Sequence, residues 1–293
     1  MYLLFLLLML VAWLPLWLLY GLSNVSWPIL YYIVRYRRKV TDTNLKKSFP
    51  EKSDKERKTI AKRYYRHMTD LLVEALFNLR TTPQQVKQHY HITNRQILDK
   101  YYEQGKSVIL VSAHYNNWEY MVVGLNMMLR HHGVGVGKPL DDKRFGKHLT
   151  KKRTRFGTEV VDFTNVRETF AYYDAHKVPV AYMMLADQSP SNEHKSYWTH
   201  FLNQETPFLY GAEYFARKYN YPVLFYKVEK TKRGYYQVTF SELCDNPLEV
   251  PQYTITKKYV SLLNDLLHEK PEYWLWSHKR WKRKRPQDMP LYE

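Results

Sequence analysis

The chain has 293 residues, room for one large domain or two small ones, and 45% of them are apolar, enough for a packed core. Its single cysteine, Cys244, excludes an intramolecular disulfide and a thiolate metal cluster. A net charge of +17 implies an anionic partner, and nucleic acid, an anionic membrane and a phosphorylated substrate all qualify on charge alone.

The N-terminus narrows that choice. No charged residue occurs from Met1 to Val34. The opening run MYLLFLLLMLVAWLPLWLLYGL is long enough to cross a bilayer core. It lacks the basic n-region and the small-residue cleavage site of a secretory signal. Pro15 is a kink of the kind membrane helices tolerate. The next apolar piece, WPILYYIV, is too short to span alone, and it lies in the interface or extends the anchor. Arg35, Arg37, Arg38 and Lys39 follow, which by the positive-inside rule puts this flank and the rest of the chain on the cytoplasmic side. The same cluster suits anionic lipid headgroups. A buried helical hairpin in a soluble protein is the competing structural reading. Residues 1–39 are therefore expected to form a membrane anchor with its basic flank, and 40–293 one catalytic domain. An anchored chain makes nucleic acid an awkward partner, so none is expected.

Further along, Ser53-Asp-Lys-Glu56 is a capping box that opens a helix running through RYYRHMTDLLVEALF. Thr82-Pro83 reads as the N-cap and first residue of a short helix. From Ser107 onward, apolar runs of strand length alternate with helical stretches. SVILVSA, GVGVGK, TEVVDF, VPVAYMMLAD, YPVLFYKVE and GYYQVTFSEL read as strands. WEYMVVGLNMMLRHH, DKRFGKHLTKKRTRF, VRETFAYYDAHK, PFLYGAEYFARKYN and TKKYVSLLNDLLHEK read as helices. This alternation predicts an α/β fold with a largely parallel sheet flanked by helices, its last two strands antiparallel across a tight KTKRG turn.

The chemistry is concentrated in VILVSAHYNNWEY, which sets His114 just past a buried strand and Glu119 inside the next helix. Carboxyl ends of strands are where open α/β sheets hold their sites. On one continuous helix, two positions five apart lie roughly 140° from each other. His114 and Glu119 therefore meet only if His114 sits on the turn. A neutral imidazole there takes a proton from a substrate hydroxyl, and a carboxylate on its other nitrogen fixes the tautomer. The spacing alone is weak: 12 His and 28 acidic residues in 293 give about one chance match. His200 and Glu205 share it in the polar stretch THFLNQET, and that pair is taken as the coincidence. Asp187 ends the most apolar strand, where it orients a catalytic group or caps a turn. Arg153 and Arg155 close a basic helix that also holds Lys143, Arg144, Lys147, Lys151 and Lys152. Such arginines hold a phosphate or polarise a carbonyl, or form a solvated basic face. The run from Lys279 to Arg285, near Trp274, Trp276 and Trp281, reads as a surface for membrane or lipid phosphate. GVGVG has neither nucleotide-loop spacing, and the scattered His131, His132 and His148 make no ligand set, so no metal or cofactor is expected.

Taken together, the apolar start followed by VRYRRKV, then NLKKSFPEKSDKERKTIAKRYYRH, SAHYNNWE, RTRFG, ADQSP and PEYWLWSHKRWK resemble the lipid A biosynthesis acyltransferase family over nearly the whole chain. The resemblance implies an acyl thioester donor, usually acyl carrier protein. The implied acceptor is a hydroxyl on a 3-hydroxyacyl chain of a lipid A precursor. It implies no cofactor and no metal, and it implies residence at the inner membrane with the catalytic domain on the cytoplasmic face. By motif, His114 and Glu119 match the catalytic pair, Arg153 and Arg155 an arginine motif with Arg153 favoured, and Asp187 an essential aspartate. Asn117, Gln188, Lys279 and Arg280 are the substrate-binding candidates. The segment after the aspartate, SPSNEHKSYWTHFLN, departs from the family pattern and leaves chain length and acceptor open. The glycerolipid signature EGTR is absent. A different amphiphile as acceptor, such as an aminolipid or glycolipid, and a non-catalytic membrane-anchored binding protein are the alternative readings.

Overall fold

The computed structural model describes residues 10–137 and 150–293. A seven-stranded sheet in the order β1-β9-β8-β2-β5-β3-β4 forms its centre. In chain order these strands are β1 (Tyr90–Ile92), β2 (Val108–Ser112), β3 (His132–Val136), β4 (Glu159–Val161), β5 (Val180–Leu185), β8 (Val223–Lys232) and β9 (Tyr235–Cys244). Every neighbouring pair is parallel except β8 and β9, which form an antiparallel hairpin closed by Gly234 at φ 78. The predicted α/β class and the antiparallel end thus hold.

β2 is buried on both faces, as a central parallel strand must be. Val108 and Leu110 pack on one side with Leu125, Ala181 and Leu224. Ile109 and Val111 pack on the other with Tyr182, Phe225 and Leu263. Helices cover both sides: α6 (Trp118–Met128) on the first, and α7 (Val166–Ala175), α8 (Gly211–Tyr219) and α9 (Thr254–Glu269) on the second. A two-stranded hairpin, β6 (Tyr197–Phe201) with β7 (Gln204–Phe208), stands apart from the main sheet. The sequence patterning placed PFL at the start of a helix, whereas Pro207 and Phe208 belong to β7 and α8 begins at Gly211. Leu202 and Asn203 both have positive φ, the geometry of a tight two-residue hairpin turn, without the Asn-Gly signal that marks one. His200 and Glu205 simply face each other across this hairpin.

In front of the sheet lie α1 (Leu16–Pro28), a π-helical turn (Ile29–Val34), α2 (Arg38–Ser48), the long α3 (Asp54–Asn78), α4 (Pro83–His89) and α5 (Gln96–Glu103). The capping boxes at Ser53/Glu56 and Thr82/Gln85 are both formed, with Pro83 in the first turn. No helix among the described residues is long and apolar enough to cross a membrane. The expected span is interrupted by a turn at Trp13–Leu14 and by Pro15, which is extended (φ −62, ψ 149) and starts a new helix. A proline ring fixes φ and removes the N–H a continuous helix needs there. Met1–Met9, and Lys143, Arg144, Lys147 and His148 of the expected basic helix, lie outside the described residues.

Candidate active site

The site follows from strand register. β2 and β5 are adjacent and parallel, with Ser112 opposite Leu185. Two residues beyond each partner stand His114 and Asp187, so the register alone brings them side by side at the carboxyl edge of the sheet. Past β2 the chain turns sharply. Tyr115 N–H donates to the Ala113 carbonyl at 2.7 Å, and Asn116 takes a left-handed φ of 51 while its amide donates to the Val228 carbonyl. Asn117 then caps α6 by accepting from Tyr120 N–H at 3.3 Å.

His114 Nδ1 lies 2.7 Å from Asp187 Oδ1, and its backbone N–H donates to Oδ2 at 3.0 Å. The Trp274 indole donates to that same Oδ2 at 2.8 Å. Burial favours the neutral acid, but the His114 charge and these three donors outweigh it and hold Asp187 below the usual carboxylate range. Asp187 is therefore an anion placed to accept from Nδ1–H of the ring. The Gln188 amide sits 3.1 Å from Nε2. Trp118 packs edge-on to the imidazole, with centroids 5.0 Å apart. His278, whose Nε2 accepts from Ser189 N–H at 3.2 Å, is pushed down to about 4 by burial and stays neutral.

This corrects the expected pairing of His114 with Glu119. Nδ1 is taken by Asp187, and Glu119 in the first turn of α6 is turned to Arg153. Arg153 Nη2 donates to Glu119 Oε1 at 3.0 Å, and its Nε is 2.9 Å from Oε2. The physical reason is distance along different elements. Strand neighbours meet through register, whereas a residue one turn into a helix has already been carried away from the strand end.

The other candidates separate in the same way. Arg155 is turned away from the site. Its guanidinium donates to the carbonyls of Asn78 and Thr81 and to Thr81 Oγ1, tying down the end of α3. Asn117 is spent on capping α6 and on donating to buried Glu74 at 2.7 Å. Arg280 is fully buried, donates to the Pro207 carbonyl and stacks on Phe208 at 4.6 Å, so it is a strut for β7 and offers no surface to a substrate. Burial lowers its pKa to about 10, partly offset by Asp187. Lys279 is exposed. Trp274 and Trp276 are core residues, and Trp281 donates to Thr206 Oγ1, so these rings do not form a membrane-facing patch. Arg283 and Arg285 of the same run pair with Glu193 and Glu205. Sequence reading missed Trp274 as a partner of Asp187. No local signal could have found it, because 87 residues separate the two.

A groove of about 390 Å³ is lined mainly by apolar side chains, Leu30, Met68, Leu72 and Ala75 among them, together with Trp118 and Glu119. A larger cavity of about 660 Å³ between the β6–β7 hairpin and α9 has none of the candidate residues in its lining. No group of three or more His, Cys, Asp or Glu among the described residues is arranged to hold a metal ion.

Fold and site together define an α/β protein with a hydrogen-bonded histidine–aspartate pair at the carboxyl edge of a mostly parallel sheet. Residues 1–283 match the family model described as bacterial lipid A biosynthesis acyltransferase, and the chain belongs to that family. It is therefore an acyltransferase of lipid A biosynthesis type acting on a lipid acceptor. A search of curated proteins found no match.

Proposed function

We propose that this enzyme moves a fatty acyl chain from an acyl thioester, carried by acyl carrier protein, to a hydroxyl of a lipid A precursor. What supports this reading is the chain of contacts from Asp187 through His114 to the Gln188 amide, and we assign the acceptor hydroxyl to the Nε2 side of the ring. That hydroxyl gives its proton to His114 Nε2 as its oxygen attacks the thioester carbonyl. The C–O bond forms, the C–S bond breaks, and the thiolate leaves with the proton that His114 carried. Asp187 stabilises the imidazolium in between.

The apolar groove that Trp118 and Glu119 help to line is suited to an acyl chain, each buried methylene adding about 0.8 kcal/mol. Arg153, steadied by Glu119, supplies positive charge to a carbonyl oxygen or a lipid phosphate beside that groove. Exposed Lys279 is available to a lipid phosphate. The division at residue 39, residence at the inner membrane with the cytoplasmic face as the working side, and contact with anionic lipid belong to the same reading.

The test is thioester transfer to a lipid A precursor, with wild type beside His114→Ala and Asp187→Ala. Transfer by wild type alone supports the reading. Full activity in His114→Ala refutes the mechanism. Histidine-dependent thioester hydrolysis without transfer keeps the chemistry and moves the acceptor to another amphiphile.

A further inference from the structure

α1 and the π-helical turn behind it have two unlike sides. Ala12, Leu19, Ser23 and Tyr31 are buried. Leu22, Val25, Ile29 and Ile33 (75% exposed) face outward at successive spacings of three or four residues, and Trp17 (71% exposed) is exposed one turn ahead of them. An uncharged, aromatic-capped strip of this length on an otherwise strongly basic protein needs a partner.

The buried side is fastened along its length to α3 and the β8–β9 hairpin by polar contacts. Arg80 donates to the Ala12 and Leu14 carbonyls. Tyr20 donates to Glu74 at 2.8 Å and Ser23 to Asp70 at 2.7 Å. Asp70 is also paired with Lys230 and Arg233, which hold it below the usual carboxylate range despite burial. Were α1 to leave this bed and cross a bilayer, Glu74 and Asp70 would lose the Tyr20 and Ser23 donors and those hydroxyls would lose their partners, at a cost of about 1–3 kcal/mol each.

We infer that α1 and the π-helical turn lie flat on an anionic bilayer surface, with the Trp17–Val25–Ile33 strip in the interface and the polar side held by the protein. Charge complementarity supports this occupant. Arg35, Arg37 and Lys39 are exposed at the strip's end, and Lys62 and Arg66 are exposed on α3, with the Lys62 ammonium 5.7 Å above the Tyr32 ring. Such cations add on the order of 1 kcal/mol each at an anionic surface. The π-helical turn also borders the groove: Leu30 and, just beyond it, Tyr36 line the groove with the 55% exposed Leu72 of α3. Flat docking therefore sets the groove's opening at the lipid surface, where a membrane-borne acceptor arrives. This rests on the lipid-acceptor reading.

The experiment measures depth, not activity. The full chain, with Cys244→Ser and a spin label at Trp17→Cys or Ile33→Cys, is bound to vesicles of phosphatidylethanolamine and phosphatidylglycerol. Sixteen residues of helix along the bilayer normal would separate the two labels by about 24 Å. Flat docking predicts equal, shallow depths, roughly 5–10 Å below the headgroups. It also predicts at least a tenfold weaker partition for Trp17→Glu/Val25→Glu/Ile33→Glu, with unchanged circular dichroism, since all three side chains are exposed. Labels at clearly different depths, or labels that never contact lipid, overturn the inference while leaving acyl transfer untouched. Loss of transfer with equal shallow depths would instead fault the functional reading.

Discussion

Asp187 and Glu74 are both buried carboxylates that accept three hydrogen bonds, yet their acidities move in opposite directions. Asp187 is held below the usual range because one donor is an imidazole that can carry a full positive charge, and a second is the His114 backbone N–H. Glu74 is pushed up by burial, since its donors are neutral: the Tyr20 and Tyr236 hydroxyls and the Asn117 amide. Lys230 acts on it only as a nearby charge and does not reverse the effect. The number of hydrogen bonds does not separate a working carboxylate from a structural one; what separates them is whether a partner can take up charge. Asp187 gains stabilisation as His114 takes a proton. Glu74 has no such partner and serves to join α1, α3, α6 and β9.

The sharpest test of this contrast is Asp187→Asn. The amide keeps the shape but frees the histidine tautomer, and transfer should fall roughly 10³–10⁴-fold with a stability change of only about 2 kcal/mol. The thioester assay and a denaturant titration read the two effects separately. Glu74 should behave in reverse. Glu74→Leu strands three donors and should cost about 3 kcal/mol or more of stability, whereas Glu74→Gln should stay within about 1 kcal/mol of wild type with kcat unchanged. A large kcat loss in Glu74→Gln with stability intact would break the comparison.

The two arginines extend it at smaller scale. Arg153→Ala should lower kcat/KM about 10²-fold at unchanged Tm. Arg155→Ala releases the Asn78 and Thr81 carbonyls, and should cost about 1–3 kcal/mol of stability with kcat per folded molecule preserved. The smallest effect belongs to Trp274→Phe, which removes one donor from Asp187 and should reduce kcat about tenfold. Its pH signature is specific. Asp187 has a depressed folded-state pKa, so its contribution to stability is present above the unfolded carboxylate value and is lost as pH falls through the folded one. Removing the indole raises that folded value toward the unfolded one, so the stability lost on acidification should be smaller and complete at a higher pH than in wild type. Denaturant midpoints followed on acidification would show it.

Much of the architecture is legible in local patterns. Buried strands such as VILVS and VAYMML and the two capping boxes are each encoded within a few residues, and the antiparallel final strands are contiguous in the chain across a tight turn. The family itself is carried by short blocks that survive as blocks: SAHYNNWE, RTRFG, ADQSP and PEYWLWSHKRWK. Reading failed where a long-range partner decides the outcome. The β6–β7 hairpin lies in a polar stretch without a turn signal. In the apolar N-terminus, hydropathy records neither the break at Pro15 nor the α3 carboxylates to which Tyr20 and Ser23 donate.

For the site, the sequence by itself determined the chemical inventory: a histidine past a buried strand, an aspartate past another, and arginines and a glutamate close by. It also determined that this inventory belongs to an acyltransferase. Only the tertiary structure decided which carboxylate serves the histidine. Sequence spacing favoured Glu119, five residues away. The parallel register of β2 and β5 places Asp187 against the imidazole from 73 residues away, because adjacent strand ends are brought together by hydrogen bonding between the strands and not by closeness along the chain.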